Sequence, residues 1–461
     1  MKRTLRDAAR VIGGELVGED RPYGCVSTDS RTLKPGALFV ALRGPNFDGA
    51  AFVQAAAAQG AIGALVERVI PGALPQVRVP DTLRALQELA NGWRADFTLP
   101  IVAVAGSNGK TTAKEMTAAI LSRMGVCMAT HGNLNNHIGV PVTLMRLEPS
   151  HRSAVIEMGA NAIGDVAALM RIAQPTVGLI TNAGAEHLEG FGDLDGVARG
   201  EGETVSCLGD GGTAIINADD AYAGYWRDIS GARRIVTFGV HQSADFSAKN
   251  VFQGIERGEF ATRFTLICPS GERAIMLKAG GAHNIGNALA AAAAASAAGA
   301  SLDDIASGLA DFRPVAGRLQ LKAGTRGSWI IDDSYNANPS SVRAALEVMR
   351  SLSGATWLVL GDMAELGEVS HDSHAHIGSY ARDCGIKRLF ALGSLSSRAV
   401  ETFGSGGEWF ADADSLIRRL RAELSAGVTV LVKGSRINRL ERVVQALSGG
   451  GNGSGPMMRA S

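Results

Sequence analysis

The sequence predicts an α/β protein of three domains with mostly parallel sheets, and three observations carry that expectation. At 461 residues the chain is too long for one ordinary core. Short apolar runs at 101–105, 153–158 and 177–181 alternate with helical stretches, the pattern of parallel strands buried on both faces. The first of these runs, IVAVA, breaks into the glycine loop GSNGKTT, a strand–loop–helix transition suited to a bound phosphate.

The elements follow in chain order. Residues 1–85 form a small α/β block, with strands over Ala37–Leu42 and Ile62–Val66 and a helix over Ala50–Gln59. Loops at Lys34-Pro35-Gly36 and Arg43-Gly44-Pro45-Asn46 separate them. Residues 86–312 hold the three buried strands. Alternating patterns at Arg234–Gly239 and Ala261–Cys268 predict antiparallel strands appended to that sheet. Ala288–Ala300 is alanine-rich and short, which favours a packed helix over a membrane span. Residues 313–448 repeat the strand–helix logic as a Rossmann-like block. Its strands fall at Trp329–Asp332, Thr356–Leu360, Arg388–Leu392 and Thr429–Val432, its helices at Ser340–Ser351 and Ser415–Leu424. The closing 449–461, GGGNGSGPMMRAS, lacks any apolar period and is expected to be disordered.

Composition excludes some functions. Basic and acidic residues balance at 45 each, so nothing points to nucleic acid or an anionic membrane. No apolar core follows the basic residues near the amino terminus, so no signal peptide or membrane insertion is expected. Five scattered cysteines, none in a C-x-x-C pair, suit reduced, packed thiols in a cytoplasmic protein. With balanced charge and no coiled-coil heptads, a monomer is expected.

The chemistry concentrates at strand ends. In Gly106-Ser107-Asn108-Gly109-Lys110-Thr111-Thr112 the glycines let amides turn toward phosphate and Lys110 supplies a cation. The Thr111 hydroxyl is placed for magnesium. The strict G-x-x-x-x-G-K-[ST] spacing fails, because Val104 stands where its first glycine belongs. Glu157 closes a neighbouring strand; a lone strand-end glutamate is more often a helix cap or solvated, but beside the loop it reads as a magnesium ligand. His187, Glu201 and Glu203 suggest a second metal site that spacing does not establish. The amide-rich 131–141 segment, with Asn133, Asn135 and Asn136, fits either Asx turns or a polar substrate. Two further polar loops, DDSYNANPS (332–340) and KGSR (433–436), end strands of the third block and suggest a closing jaw.

Together these segments resemble the Mur ligases. GSNGKTT (106–112), GNLNNHIGVP (132–141), NAGAEH (182–187), GAHNIGNALAA (281–291), GRLQ (317–320), DDSYNANPSS (332–341), LGDMAELG (360–367) and KGSR (433–436) occur in the order expected of that family. STDSRTLKPGALFVALRG (27–44) resembles its substrate-anchoring domain, so coverage runs from about residue 20 to 445. DDSYNANPSS and GDMAELG resemble the branch that joins D-alanyl-D-alanine to UDP-N-acetylmuramoyl-tripeptide; the DNPR-type loop of the third-amino-acid-adding branch is missing.

The resemblance implies an ATP- and Mg2+-dependent amide ligase acting through an acyl phosphate. It places Gly106–Thr112 on the phosphates, with Lys110 catalytic, and Thr111, Glu157, His187 and Glu201 about the metals. His283, Asn284 and Asn287 fall near adenine, and Arg318 and Asp333 complete the nucleotide site. Asn336, Asn338, Ser340, Lys433 and Arg436 fall at the dipeptide, while Ser27, Asp29, Ser30 and Arg31 fall at the uridine diphosphate. Two departures stand out. Glu201 occupies the position of a lysine that the family carbamoylates, which suggests that its carboxylate is the direct metal ligand. Ala50 stands where a histidine is frequent. The rival readings are a folylpolyglutamate synthase, which shares the P-loop but not the DSR or DDSYNANPSS segments, and a non-catalytic nucleotide-binding module.

Overall fold

The computed structural model describes residues 3–72 and 74–449. Apart from Gly449, the expected disordered tail lies outside the described residues. The first block is built on a five-stranded sheet ordered Glu15–Val17, Gln76–Arg78, Gly63–Val66, Ala37–Val40 and Cys25–Ser27. Only its Glu15–Val17 edge runs antiparallel. A capping box of Thr4 and Asp7 starts the helix Leu5–Val11, which lays Leu5 and Ala8 into the core.

The helix Thr82–Arg94 begins at an Asp81 cap whose carboxylate accepts from Leu83 N–H and Arg84 N–H. The boundary expected at 85/86 therefore falls inside a helix. Its first turn is tied to the first block, where the Thr82 hydroxyl donates to the Ala41 carbonyl at 3.2 Å. Its last turn is tied to the second, where Trp93 Nε1 donates to the Leu147 carbonyl and Arg94 Nε to the Ala173 carbonyl. A helix shared by two cores shows one amphipathic period in sequence, whichever core it serves.

The central sheet has six strands, in the order Cys127–Ala129, Ser153–Glu157, Ile101–Ala105, Val177–Ile180, Thr213–Asn217 and Arg234–Phe238, all parallel. Arg234–Phe238 corrects the expectation of an antiparallel strand, since it pairs parallel with Thr213–Asn217. Alternation is common in antiparallel strands because one face is exposed, and Arg234–Phe238 lies at the edge of a parallel sheet, where exposure arises without antiparallel pairing. Ala261–Cys268 does fall in an antiparallel unit, within Glu259–Cys268 between Ser247–Glu256 and Gly271–Leu277, but as a separate three-stranded sheet. The alanine-rich segment is the buried helix Ala282–Ala297, packed beside the helix Lys110–Leu121 that follows the glycine loop. On the next helix, Leu302–Asp311, a Cβ at Gly308 would lie 2.4 Å from the Ile120 Cα, so only glycine allows that approach. Among the described residues no helix is long and apolar enough to cross a membrane.

The third block's sheet runs Gln320–Ala323, Trp329–Asp333, Val428–Lys433, Ala355–Gly361, Arg388–Leu392 and Gly407–Phe410, parallel except for its first strand. The chain's last strand is inserted beside Trp329–Asp333, with Asp333 in register with Lys433. The two polar loops read from sequence thus leave the sheet side by side, although a hundred positions separate them.

Candidate active site

Parallel strands direct all their carboxyl ends to one edge, where ligands of open α/β sheets bind. Here the glycine loop is built into that edge. Gly106 and Gly109 adopt φ of +118° and +83°. A Cβ on Gly106 would lie 2.2 Å from Thr181 Oγ1, and one on Gly109 2.3 Å from Asn287 Oδ1. The end of the adjoining strand holds the loop tip. Thr181 Oγ1 and Asn182 Nδ2 both donate to the Asn108 carbonyl, and Asn108 N–H donates to Asn182 Oδ1 at 3.0 Å. Among the described residues no side chain caps the helix Lys110–Leu121, whose N-cap is Gly109. Its first-turn amides and positive end therefore form an anion site.

Acidic groups surround Lys110. Its ammonium donates to the Ser107 carbonyl at 3.1 Å and to Glu186 Oε1 at 3.0 Å. Burial works to lower its pKa, but Glu186, Glu201 and Glu157 outweigh it and the net shift is upward. Glu201 is 3% exposed, and its Oε2 accepts from Gly106 N–H at 2.6 Å. Burial pushes this carboxyl up to about 7, with the Lys110 charge pulling the other way. Glu203 turns away from the loop and accepts from Gly164 N–H and Ala167 N–H, so it caps a neighbouring helix and belongs to no metal cluster.

Glu157 is 3% exposed at its strand end. Oε1 accepts from Asn135 Nδ2 at 2.9 Å, while the buried Oε2 has no hydrogen-bond partner among the described residues. Among the described residues no three His, Cys, Asp or Glu side chains gather as a ready-made metal cage. Magnesium does not require one, since it binds through one or two carboxylates plus phosphates and water. An orphaned carboxylate oxygen beside a phosphate loop fits that ion's demands.

The third block closes the cleft. Asn338 caps the helix Pro339–Arg350 through Oδ1 and sends its Nδ2 across to Asn108 Oδ1 at 2.9 Å and Glu186 Oε2 at 3.1 Å. Ser340 Oγ accepts from Asn108 Nδ2 at 3.0 Å. The Arg318 guanidinium lies 4.2 Å from the Tyr335 ring centroid, and its Nη2 is 3.4 Å from the Thr111 hydroxyl. Its buried Nε has no hydrogen-bond partner among the described residues. Lys433 is buried, bonded to Asp333 Oδ2 at 2.6 Å and to the Asn336 carbonyl, and burial lowers its pKa. Removing one partner of such a buried pair costs about 3–5 kcal/mol, because it leaves the other charge buried and uncompensated.

Two cavities meet at the loop. One, of about 420 Å³, runs from Gly109 and Thr112 past His283, Asn284 and Asn287 to Phe238 and Val240, with Arg318, Asp333 and Lys433 on its far wall. Burial lowers the pKa of His283. The other, of about 280 Å³, is more polar and brings together Lys110, Thr111, Asn135, Asn136, Glu157, Glu186, His187, Asn336 and Asn338.

Several other expected residues lie elsewhere, and Asn136 of the polar cavity is also committed to a turn. Arg436 lines neither cavity; it is exposed and pairs with Glu441 at 3.2 Å. Asn133 is exposed and also outside both. Asn136 makes the turn foreseen as an alternative, its Oδ1 accepting from Ile138 N–H and Gly139 N–H. Ser27, Asp29, Ser30 and Arg31 sit on the first block outside both cavities, where Arg31 holds the Asp29 carboxyl down to about 2. Sequence reasoning gave no role to Glu186, Tyr335, Phe238 or Glu365. Glu365, from the GDMAELG loop, lies 2.6 Å from His187 Nδ1, and both residues hold left-handed backbone. The specificity of that motif was its only signal in sequence.

An uncapped phosphate-binding helix at the edge of one parallel sheet, faced by a second parallel sheet carrying Arg318, Asp333 and Lys433, defines a nucleotide-dependent enzyme that works between two domains. Family comparison specifies which. Residues 22–94 match the Mur ligase family catalytic domain, 104–295 the Mur ligase middle domain, and 317–436 the Mur ligase glutamate ligase domain. The chain belongs to the Mur ligase family.

It is 44% identical to UDP-N-acetylmuramoyl-tripeptide–D-alanyl-D-alanine ligase of Escherichia coli, over 97% of this chain and 99% of that one. Identity to the enzyme of the same name from Bacillus subtilis is 33%, over 97% and 98%. The crystal structure of MurF from Acinetobacter baumannii superposes with a TM-score of 0.90 at 33% identity, over 96% and 98% of the two chains. MurF from Thermotoga maritima in complex with ADP gives 0.81 at 25%, over 92% and 96%. Folylpolyglutamate synthase of Mycobacterium tuberculosis, at 17% identity and 0.61, shares the fold alone.

Proposed function

We propose that this chain is an ATP-dependent ligase that joins D-alanyl-D-alanine to UDP-N-acetylmuramoyl-tripeptide in peptidoglycan precursor synthesis. The observation that carries the reading is the meeting of DDSYNANPSS with GSNGKTT, where Asn338 and Ser340 bond to Asn108 at the loop tip. A carboxylate, a γ-phosphate and an amine would converge at that seam. An oxygen of the tripeptide carboxylate attacks the γ-phosphorus, the bond to the ADP oxygen breaks, and an acyl phosphate forms. The dipeptide amine then attacks the acyl carbon and loses a proton, and the carbon–oxygen bond to phosphate breaks.

Carboxylate and triphosphate repel, so the protein's work is neutralisation and alignment. Lys110 exchanges Glu186 for the β/γ-phosphates, and Arg318, held over the Tyr335 ring with Nε unspent, approaches from the third block. The purine lies toward Phe238, Val240, Asn287 and His283. Thr111 and Glu157 would hold one magnesium ion, with His187 and Glu201 toward a second. Bound there, the metal neutralises phosphate oxygens. Glu201 supplies a carboxylate without prior carbamoylation. Asn336, Asn338, Ser340 and Lys433 receive the dipeptide, and the Ser27–Arg31 turn receives the uridine diphosphate.

The test is coupled turnover by the purified protein. Phosphate release requiring both UDP-MurNAc-tripeptide and D-alanyl-D-alanine is the expected result. Nucleotide binding without that coupling overturns the reading in favour of a binding module. Running lysine- and diaminopimelate-containing tripeptides in parallel identifies the third residue accepted.

A further inference from the structure

The chain contains a lysine that the proposed chemistry leaves unused. Lys114 stands one turn beyond Lys110 on the same helix and is 1% exposed. Burying an ammonium is costly unless each proton finds a partner, so a role for it is expected. Its Nζ donates to the Thr130 carbonyl at 2.8 Å and lies 2.9 Å from Glu115 Oε1. On its remaining side, Glu157 Oε2 lies 3.7 Å away.

That last distance is informative. The charges attract across it, but it is too long for a hydrogen bond. Glu157 is otherwise held on two sides. Its backbone N–H donates to Thr130 Oγ1 at 3.0 Å, and its Oε1 accepts from Asn135. Thr130 therefore anchors the lysine through its carbonyl and the glutamate's backbone through its hydroxyl. Oε2 is buried beside a positive charge with its lone pairs unspent.

We propose that Lys114 is a positioning residue for the metal-binding carboxylate of Glu157: clamped on Thr130, its ammonium orients that carboxylate and leaves Oε2 free for a cation. The inference rests on Glu157 being a metal ligand, as proposed above. Partners behind a metal's direct ligands typically contribute 10–100-fold in metal affinity, a range that a measurement of this kind resolves.

The experiment compares ADP affinity in Mg2+ with ADP affinity in EDTA, by calorimetry on the full chain. The ratio isolates the metal's contribution from general damage to the nucleotide site. Lys114→Met is expected to lower that ratio by about tenfold. In a Glu157→Gln background, where the carboxylate to be oriented is gone, Lys114→Met should change the ratio no further. An unchanged ratio in folded Lys114→Met overturns the proposal, and so does an additive loss in the double variant. If Lys114→Met does not fold, the double variant, which strands no charge opposite Glu157, is compared with Glu157→Gln alone. Equal ratios support the proposal and a further fall overturns it. Should Glu157→Gln itself leave the ratio unchanged, the ligand assignment fails and the proposal falls with it. A fall for Glu157→Gln without one for Lys114→Met removes the proposal alone.

Discussion

Two strand–loop–helix units face each other across the cleft, and they treat the start of the helix in opposite ways. At Gly109 the helix Lys110–Leu121 begins in left-handed backbone with no capping side chain, so its first amides are left for a ligand. At Asn338 the helix Pro339–Arg350 begins with proline, which has no N–H to offer, and a full capping box with Ser341, so the Ser341 amide is satisfied within the chain. The first unit is built to take an anion. The second uses only one end of its cap for itself and sends the amide nitrogen of Asn338 across to Asn108 and Glu186. Two helices that each follow a strand and a polar loop thus divide the labour, one open to an anion and one closing, and the capping residue decides which.

The largest test of that division is Lys110→Ala, which removes the cation at the open helix. Turnover should fall by about a hundredfold or more, the scale of losing one preorganised charge-stabilising donor. Steady-state phosphate release checks it, and near-normal turnover would mean that the open helix does not hold the reacting phosphate.

Glu201→Ala comes next, because Glu201 occupies the Gly106 amide and faces Lys110. A loss of roughly tenfold with a raised magnesium requirement is expected, on the scale of weakening one metal contact. Activity unchanged at every magnesium concentration would leave Glu201 as a loop brace only.

Asn338→Asp sharpens the comparison more finely. The carboxylate keeps the cap, since aspartate serves as well as asparagine there. It loses the crossing N–H donor and sets a second negative charge against Glu186. Thermal stability should change by no more than about 1 kcal/mol while turnover falls several-fold. Unchanged turnover in Asn338→Asp, with a loss confined to Asn338→Ala, would show that the crossing contact does nothing beyond capping.

The smallest effect concerns how the closing side holds its own loop. His374 is buried; its Nε2 accepts from Met363 N–H at 2.9 Å and its Nδ1 donates to the Ser370 carbonyl at 2.7 Å, so the ring is neutral. Burial lowers its pKa below 6.5, against the opposing pull of the Ser370 carbonyl and Asp362. The unfolded chain therefore takes up this proton first as pH falls. The stability linked to this group is fully present above about 6.5 and is lost as pH drops from there toward the lowered folded value. Its slope cannot exceed about 1.4 kcal/mol per pH unit. Thermal melts from pH 7.5 to 5 should show that slope, and His374→Gln should remove it even though the variant melts lower throughout.

What was legible in the sequence was whatever depends on near neighbours in the chain. Ile101–Ala105 and Arg388–Leu392 fall where apolar runs placed them, because a strand covered on both faces needs an unbroken apolar run. Gly106 and Gly109 were legible because only glycine accepts those angles with Thr181 and Asn287 so close. The order of motifs along the chain was enough to identify the family.

The tertiary structure alone decided the direction of Arg234–Phe238 and the sharing of helix Thr82–Arg94 between two cores. It alone recruited Glu186, Tyr335, Glu365 and Lys114, and it turned Arg436 outward to Glu441. The physical reason is the same each time. Local pattern reports how a residue is covered and what its backbone can do. Which charge comes to face which is set by sheet order within a block and by how one block seats on the next, and here that seating joins residues as far apart as Asn108 and Asn338.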